Sequence, residues 1–221
     1  MRNKLTAPEA LTFPENIRTV FFDLDGTLLD SMGVWTQIDI DFLGKRNLPM
    51  PEDYLEAIVP LGFRATAEYT IRRFQLSETP EALMEEWHEM AVDAYTHHVP
   101  LKKGALPLLN RMKEKGYRLA VASASSRELV MPCLKRNGIL EFFDQILTVS
   151  EDGYGKNEPA FWSEAAEKLG TEPADCLLFD DAAAALLAAG KAGMTTVGVF
   201  DRHTPGQDAV CSAGDFYTSL D

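Results

Sequence analysis

Cysteine is scarce. The 221 residues hold three, Cys133, Cys176 and Cys211, far apart and without a paired C-x-x-C spacing. That excludes a disulfide scaffold and reads as ordinary reduced thiols, so the cytoplasm is the expected compartment. Long apolar runs are missing as well. None reaches the roughly 18 residues that a membrane span requires, and Pro8, Glu9 and Pro14 interrupt the opening segment before a signal-peptide core could form. Basic residues are outnumbered, 21 Lys and Arg against 34 Asp and Glu, for a net charge of −13. A chain so acidic is a poor partner for nucleic acid or an anionic membrane surface. It can still bind phosphate where a few cations are placed locally. Beyond an alanine cluster at 182–185 there is no repeat or low-complexity segment.

What is present is ordinary globular usage, 46% apolar and 25% charged, with length enough for one core or a core carrying an insert. Residues 17–24 (IRTVFFDL) form a β-branched and aromatic run that stops at Asp25-Gly26, the pattern of a buried strand entering a turn. Similar runs cover 117–123, 143–149, 176–180 and 195–200. Helical patterns lie between them, over 104–115, 126–137, 158–169 and 182–192, three of them closed by Gly116, Gly170 and Gly193. Pro132 is awkward inside the second of these, so it is placed at the first position of the true helix, with a loop before it. Strands alternating with helices of this size predict an α/β fold with a parallel sheet covered on both faces.

Residues 32–98 differ: no convincing strand interrupts the helical patterns. Thr79-Pro80 reads as an N-cap and first helical residue, and Leu83, Met84, Trp87, Met90, Ala91, Ala94 and Tyr95 form one apolar stripe, read as core. The expected organisation is a polar N-terminal arm at 1–16, an α/β core from 17–31 and 99–221, and an inserted helical domain at 32–98.

Chemistry gathers at the strand ends, where open α/β sheets bind ligands. Asp23 and Asp25 end the first run in Asp-Leu-Asp-Gly-Thr, a pattern that an acidic turn would also explain. Ser123 ends the second, where it can meet a phosphoryl oxygen or cap a helix; taken alone, the cap is favoured. Lys156 follows another strand and offers a cation to transferred phosphate, or is merely solvated. Asp180-Asp181 supply hard oxygen donors suited to Mg²⁺, or cap the alanine-rich helix.

Taken together, DLDGTLLDS at 23–31, VASAS at 121–125, GKNEP at 155–159 and FDDAAAAL at 179–186 resemble the four motifs of the haloacid dehalogenase superfamily. The helical insert after the first motif is similar to the cap of the β-phosphoglucomutase-like branch. The resemblance implies a Rossmann-like core with a small α-helical cap, and it implies roles. Asp23 would be the nucleophile and Asp25 the general acid and base. Asp23, Asp25 (through its carbonyl), Asp180 and Asp181 would hold Mg²⁺. Ser123 and Lys156 would bind the phosphoryl oxygens, with Thr27 and backbone N–H groups of the first loop completing the cradle and Ala124 among the substrate-binding residues. In the cap, Arg64 would meet an anionic part of the substrate and Trp35 would stand at the cap entrance, although each also reads as a solvated or packing residue. Asp25 occupies a position that dehalogenases leave without an acid, so phosphoryl transfer is preferred over carbon–halogen cleavage.

The departures bear on substrate. Trp35 replaces the cap histidine of β-phosphoglucomutases, and the only lysine between 32 and 98 is Lys45, which disfavours Schiff-base chemistry. The third motif keeps Lys156 but has Asn157, Glu158 and Ala160 where the family usually has Pro, a variable residue and Asp. Ala182 stands where a Ser often follows the acid pair. The expected function is a Mg²⁺-dependent phosphatase for a small phosphorylated metabolite, a sugar phosphate first and a nucleotide-like ester second, acting as a monomer or small homo-oligomer. A phosphomutase is the enzymatic alternative, and a non-catalytic binding protein on the same fold the alternative of another class.

Overall fold

The β-branched runs all become strands of one sheet. The computed structural model describes residues 4–58, 61–148, 154–204 and 206–221. They form two compact units, Met1–Met32 with Val99–Asp221, and Gly33–His98. Strands β1 (Thr19–Phe22), β2 (Arg118–Ser123), β3 (Gln145–Thr148), β4 (Cys176–Asp180), β5 (Thr195–Phe200) and β6 (Phe216–Ser219) lie in the order 3-2-1-4-5-6. Every pairing is parallel. The chain direction across the sheet reverses at β1, so the carboxyl ends of β1 and β4 flank a topological switch point. The described helices are α1 (Val34–Lys45), α2 (Tyr54–Ile58), α3 (Phe63–Phe74), α4 (Pro80–His97), α5 (Ala105–Glu114), α6 (Arg127–Arg136), α7 (Pro159–Lys168), α8 (Ala183–Ala192) and α9 (Gln207–Ala213). No helix among the described residues is long and apolar enough to cross a membrane.

Strand β1 is buried along its whole length because helices cover both faces. Phe21, Ala120, Ala122 and Leu178 come from alternate positions of three neighbouring strands and share one face with Phe161, Trp162, Ala165 and Ala166 of α7. Ala185, Ala188 and Ala189 of α8 join the same cluster, their short side chains giving that helix a close seat on the sheet. Each large side chain so buried contributes about 1.5–3 kcal/mol of apolar transfer energy.

Two expectations change. Pro132 does not open a helix: α6 starts at Arg127, after Ser126, and runs through Pro132 to Arg136. The missing N–H removes one bond to the preceding turn, but Leu129, Val130, Cys133 and Leu134 are all buried and hold the segment helical. Strand β6 had no expected counterpart. The N-terminal arm, read only as polar, packs on the first unit. Phe13 meets Phe179 and Phe216 edge-on at 6.0 and 5.7 Å, Leu11 is buried, and Arg111 donates to the carbonyls of Pro8 and Leu11. Thr6 bridges β6, its N–H donating to the Tyr217 carbonyl at 2.9 Å while Thr218 Oγ1 donates to the Thr6 carbonyl at 2.7 Å.

In the second unit, Thr79 caps α4 by accepting the Ala82 N–H at 3.2 Å. Leu83, Trp87, Ala91 and Tyr95 are its buried stripe; Met84, Met90 and Ala94 are half-buried. Trp87 meets Phe42 of α1 and Phe63 of α3 at 5.3 and 5.8 Å. Arg46 ties α1 to Glu78 and to Glu86 of α4, at 2.9 and 2.6 Å.

Candidate active site

The carboxyl end of β1 turns abruptly. The N–H of Asp23 still donates to the Phe179 carbonyl at 2.9 Å, which carries the ladder one residue beyond the strand and sets Asp23 beside Asp180. The chain then folds back through Gly26, with the N–H groups of Thr27 and Leu29 both donating to the Leu24 carbonyl. Gly26 has φ +78°, and a Cβ there would overlap the Asp181 carboxylate. Glycine is therefore required twice over, by conformation and by space.

Asp23, Asp180 and Asp181 are each no more than 5% exposed, and they present oxygens within 4.8 Å of one another. One cation stands among them. Lys156 Nζ lies 2.6 Å from Asp23 Oδ1 and 2.7 Å from Asp180 Oδ2. The contact to Asp180 is an ion pair outside hydrogen-bond geometry, and among the described residues that oxygen has no hydrogen-bond donor. Burial, with repulsion from Asp180, Asp181 and Asp25, raises the Asp23 pKa well above the ordinary carboxylate range, although Lys156 opposes it. Burial and repulsion from Asp180 push Asp181 up to about 7, against a hydrogen bond from Thr204 and the charge of Lys156. Burial acts to lower the Lys156 ammonium, but Asp180 and Asp23 outweigh it and hold it above the ordinary lysine value. Anionic oxygens this close, in excess over their counter-charge, fit a small hard divalent cation such as Mg²⁺.

Asp25 is held separately. Ser31 Oγ donates to its Oδ1 at 2.6 Å and Ser125 Oγ to its Oδ2 at 2.7 Å. The backbone carbonyl of Lys156 accepts the Trp162 indole N–H at 2.8 Å, so a core tryptophan anchors the cation's loop. Glu158 closes that loop by accepting the Gly155 N–H at 2.9 Å, a local tie in the motif that lacks the family's first proline.

Asp23, Asp25, Ala124, Lys156, Asp180 and Asp181 all line one cavity of about 480 Å³ in the first unit, together with Met32, Asn157 and Thr204. A larger cavity, about 630 Å³, lies within the second unit between α1 and α4. Its lining mixes Asp41, Glu89 and Asp93 with Val34, Ile38 and Met90 and lacks a buried acid cluster, so the chemistry points to the smaller one.

The family model for haloacid dehalogenase-like hydrolases matches residues 17–193. The chain belongs to this family. Among relatives, validoxylamine A 7′-phosphate phosphatase of Streptomyces hygroscopicus subsp. limoneus is 25% identical over 84% of this chain and 87% of its own. Hexitol phosphatase B of Escherichia coli K12 is 23% identical over 85% of each chain. The crystal structure of a β-phosphoglucomutase from Clostridium difficile shares the fold with a TM-score of 0.66, at 20% identity over 91% of this chain and 90% of that one. This haloacid dehalogenase-like chain is a phosphatase-type hydrolase.

The remaining candidate residues fall outside the cavity lining of this hydrolase. Ser123 is fully buried, and its Oγ accepts the Ser125 N–H at 3.0 Å. Thr27 is fully buried, and among the described residues its hydroxyl has no hydrogen-bond partner. Arg64 and Trp35 belong to the second unit: Arg64 is exposed and paired with Glu81 at 2.7 Å, and half-exposed Trp35 packs edge-on to Phe63 at 6.0 Å. Sequence reasoning missed Ser31, Ser125 and Thr204. The two serines lie inside or beside quoted motifs and were visible there; Thr204 carried no signal.

Asp181 sets a pH dependence of stability. Its folded pKa, about 7, exceeds the ordinary 3.8, so between these values the folded chain binds more protons than the unfolded one. The contribution of this group to stability is full below about pH 4 and is lost as the pH rises to about 7, a loss of no more than about 4 kcal/mol. In EDTA, the melting temperature of Asp181→Asn should pull increasingly ahead of wild type from pH 4.5 to 7.5, and Mg²⁺ should narrow the gap. A gap that does not vary with pH would refute the assignment.

Proposed function

We propose that the chain hydrolyses a small phosphomonoester with Mg²⁺ and a phosphorylated Asp23. The observation that carries this reading is Lys156 set between Asp23 and Asp180, with Asp181 beside them, at the carboxyl ends of β1 and β4. Asp23 is the nucleophile: its carboxylate oxygen bonds to phosphorus as the bond to the leaving oxygen breaks. Protonated Asp25 gives its proton to that leaving oxygen. It then takes a proton from water, whose oxygen attacks phosphorus and breaks the bond to Asp23, releasing inorganic phosphate. Ser31 and Ser125 orient Asp25 for both transfers. Lys156 and Ser123, with the backbone near Ala124, hold the phosphoryl oxygens. Asp23, the Asp25 carbonyl, Asp180 and Asp181 would hold Mg²⁺, which when bound neutralises the charge of the transferring group. Substrate selection falls to the helical unit, with Arg64 and Trp35 as its candidate residues. The names of the two phosphatase relatives support a sugar-like phosphate as substrate class.

The test is product analysis on a panel of sugar phosphates, nucleotides and p-nitrophenyl phosphate, including a hexose 1-phosphate. Inorganic phosphate is expected, with Mg²⁺ required and EDTA inhibiting. Hexose 6-phosphate in its place would make the chain a phosphomutase. Silence across the panel with metal binding intact would make it a binding protein.

A further inference from the structure

One buried ion pair of the first unit lies outside the acid cluster. Lys102 Nζ stands 2.7 Å from Asp201 Oδ2, with the two side chains 1% and 2% exposed. The same ammonium donates to the Phe200 carbonyl at 3.1 Å and lies 3.5 Å from Asp221 Oδ1. Taking both charges out of water costs as much as their attraction returns, so stability alone gives no reason for such a pair; what it can do is fix a geometry. The geometry is that of the turn after β5. Asp201 Oδ1 accepts the N–H groups of His203 and Thr204 at 2.8 and 3.1 Å, which coils the chain so that Thr204 comes back to the cavity. There the Thr204 hydroxyl donates to Asp181 Oδ2. Among the described residues this is the hydrogen bond that the Asp181 carboxylate accepts. Ala182, next to the acid pair, has no hydroxyl, and its N–H is committed to Asp180 Oδ1 at 2.8 Å.

We propose that Thr204, locked in place by the Lys102–Asp201 pair, is a positioning residue that fixes the Asp181 carboxylate for the divalent cation. A carboxylate with one oxygen tied cannot swing away from the cation, and a ligand so supported typically binds its metal about 10-fold or more tighter. The inference rests on Asp181 being a metal ligand, as the functional reading has it. Lys102 and Asp201 act through Thr204 and touch no reacting atom.

The experiment is calorimetric titration of the full chain with Mg²⁺, alongside thermal melts. Thr204→Val keeps the shape and removes the hydroxyl, and should weaken Mg²⁺ binding about 10-fold with a small drop in melting temperature, because the buried Asp181 carboxylate loses its donor. Thr204→Ser should bind as wild type does. Asp201→Asn should weaken Mg²⁺ binding too, with a lower melting temperature. Thr204→Val binding Mg²⁺ like wild type, while Asp181→Ala binds it poorly, would overturn the positioning role alone. Asp181→Ala binding Mg²⁺ like wild type would overturn the ligand assignment on which it stands.

Discussion

Asp23→Asn should lose phosphate release by at least about 10⁴-fold while the metal-free fold becomes more stable. The two effects share one cause. An amide has no anionic oxygen with which to attack phosphorus, so the covalent route closes. The same change removes a buried negative charge whose neighbours, Asp25, Asp180 and Asp181, repel it and whose burial raises its pKa well above the usual range. A group whose folded pKa is the higher one costs the folded chain stability as the pH rises. Lys156 keeps Asp180 at 2.7 Å, so the substitution does not strand a cation. Single-turnover release and thermal melts in EDTA check both halves. Turnover above about 1% of wild type would mean that another group attacks phosphorus.

Lys156→Met should do the opposite to stability. It leaves Asp23 and Asp180 buried without their counter-charge, and breaking a buried pair by removing one partner costs about 3–5 kcal/mol. The cost has a pH signature with a definite sign. Asp23, already raised, takes up a proton more readily once the cation is gone, so the penalty is smaller in acid and grows as the pH rises. Phosphate release should fall as well, since the phosphoryl oxygens lose their fixed cation. Urea unfolding at pH 5 and pH 8 decides the matter: equal losses at the two values would mean that the Lys156 contacts to Asp23 and Asp180 carry no coupled charge.

Much of this was legible in the sequence, for physical reasons. Runs such as IRTVFFDL and DCLLFDD announce buried parallel strands because both faces must be apolar, and acids placed at their ends stand out against that background. β6 escaped because an outer strand of four residues, Phe216–Ser219, needs no such run and carries three hydroxyl residues. Pro132 misled because local geometry argues for a helix start, whereas four buried neighbours decide for a continuous α6. The roles of the residues that support the acids were the least legible. Ser31 and Ser125 stand inside the motifs but, like Thr204, act through single hydroxyls brought together by the fold, and hydroxyls follow no period. Nothing in the sequence marks Lys102 and Asp201 as partners; only their separation of 99 positions collapsed to 2.7 Å in a dry interior reveals a pair.

The arm that bridges β6 through Thr6 also changes how the molecule meets other copies of itself. An outermost strand carries a row of unpaired N–H and C=O groups, a template on which a foreign strand can add. Thr6 occupies part of that row, and Phe13 sits over Phe216 next to it. A chain shortened past residue 13 would keep its acid cluster but bare the β6 margin, trading a guarded edge for an adhesive one. The arm that the sequence marks only as polar thus bears on colloidal behaviour, the difference between a protein that stays dispersed when concentrated and one that grows sheet upon sheet.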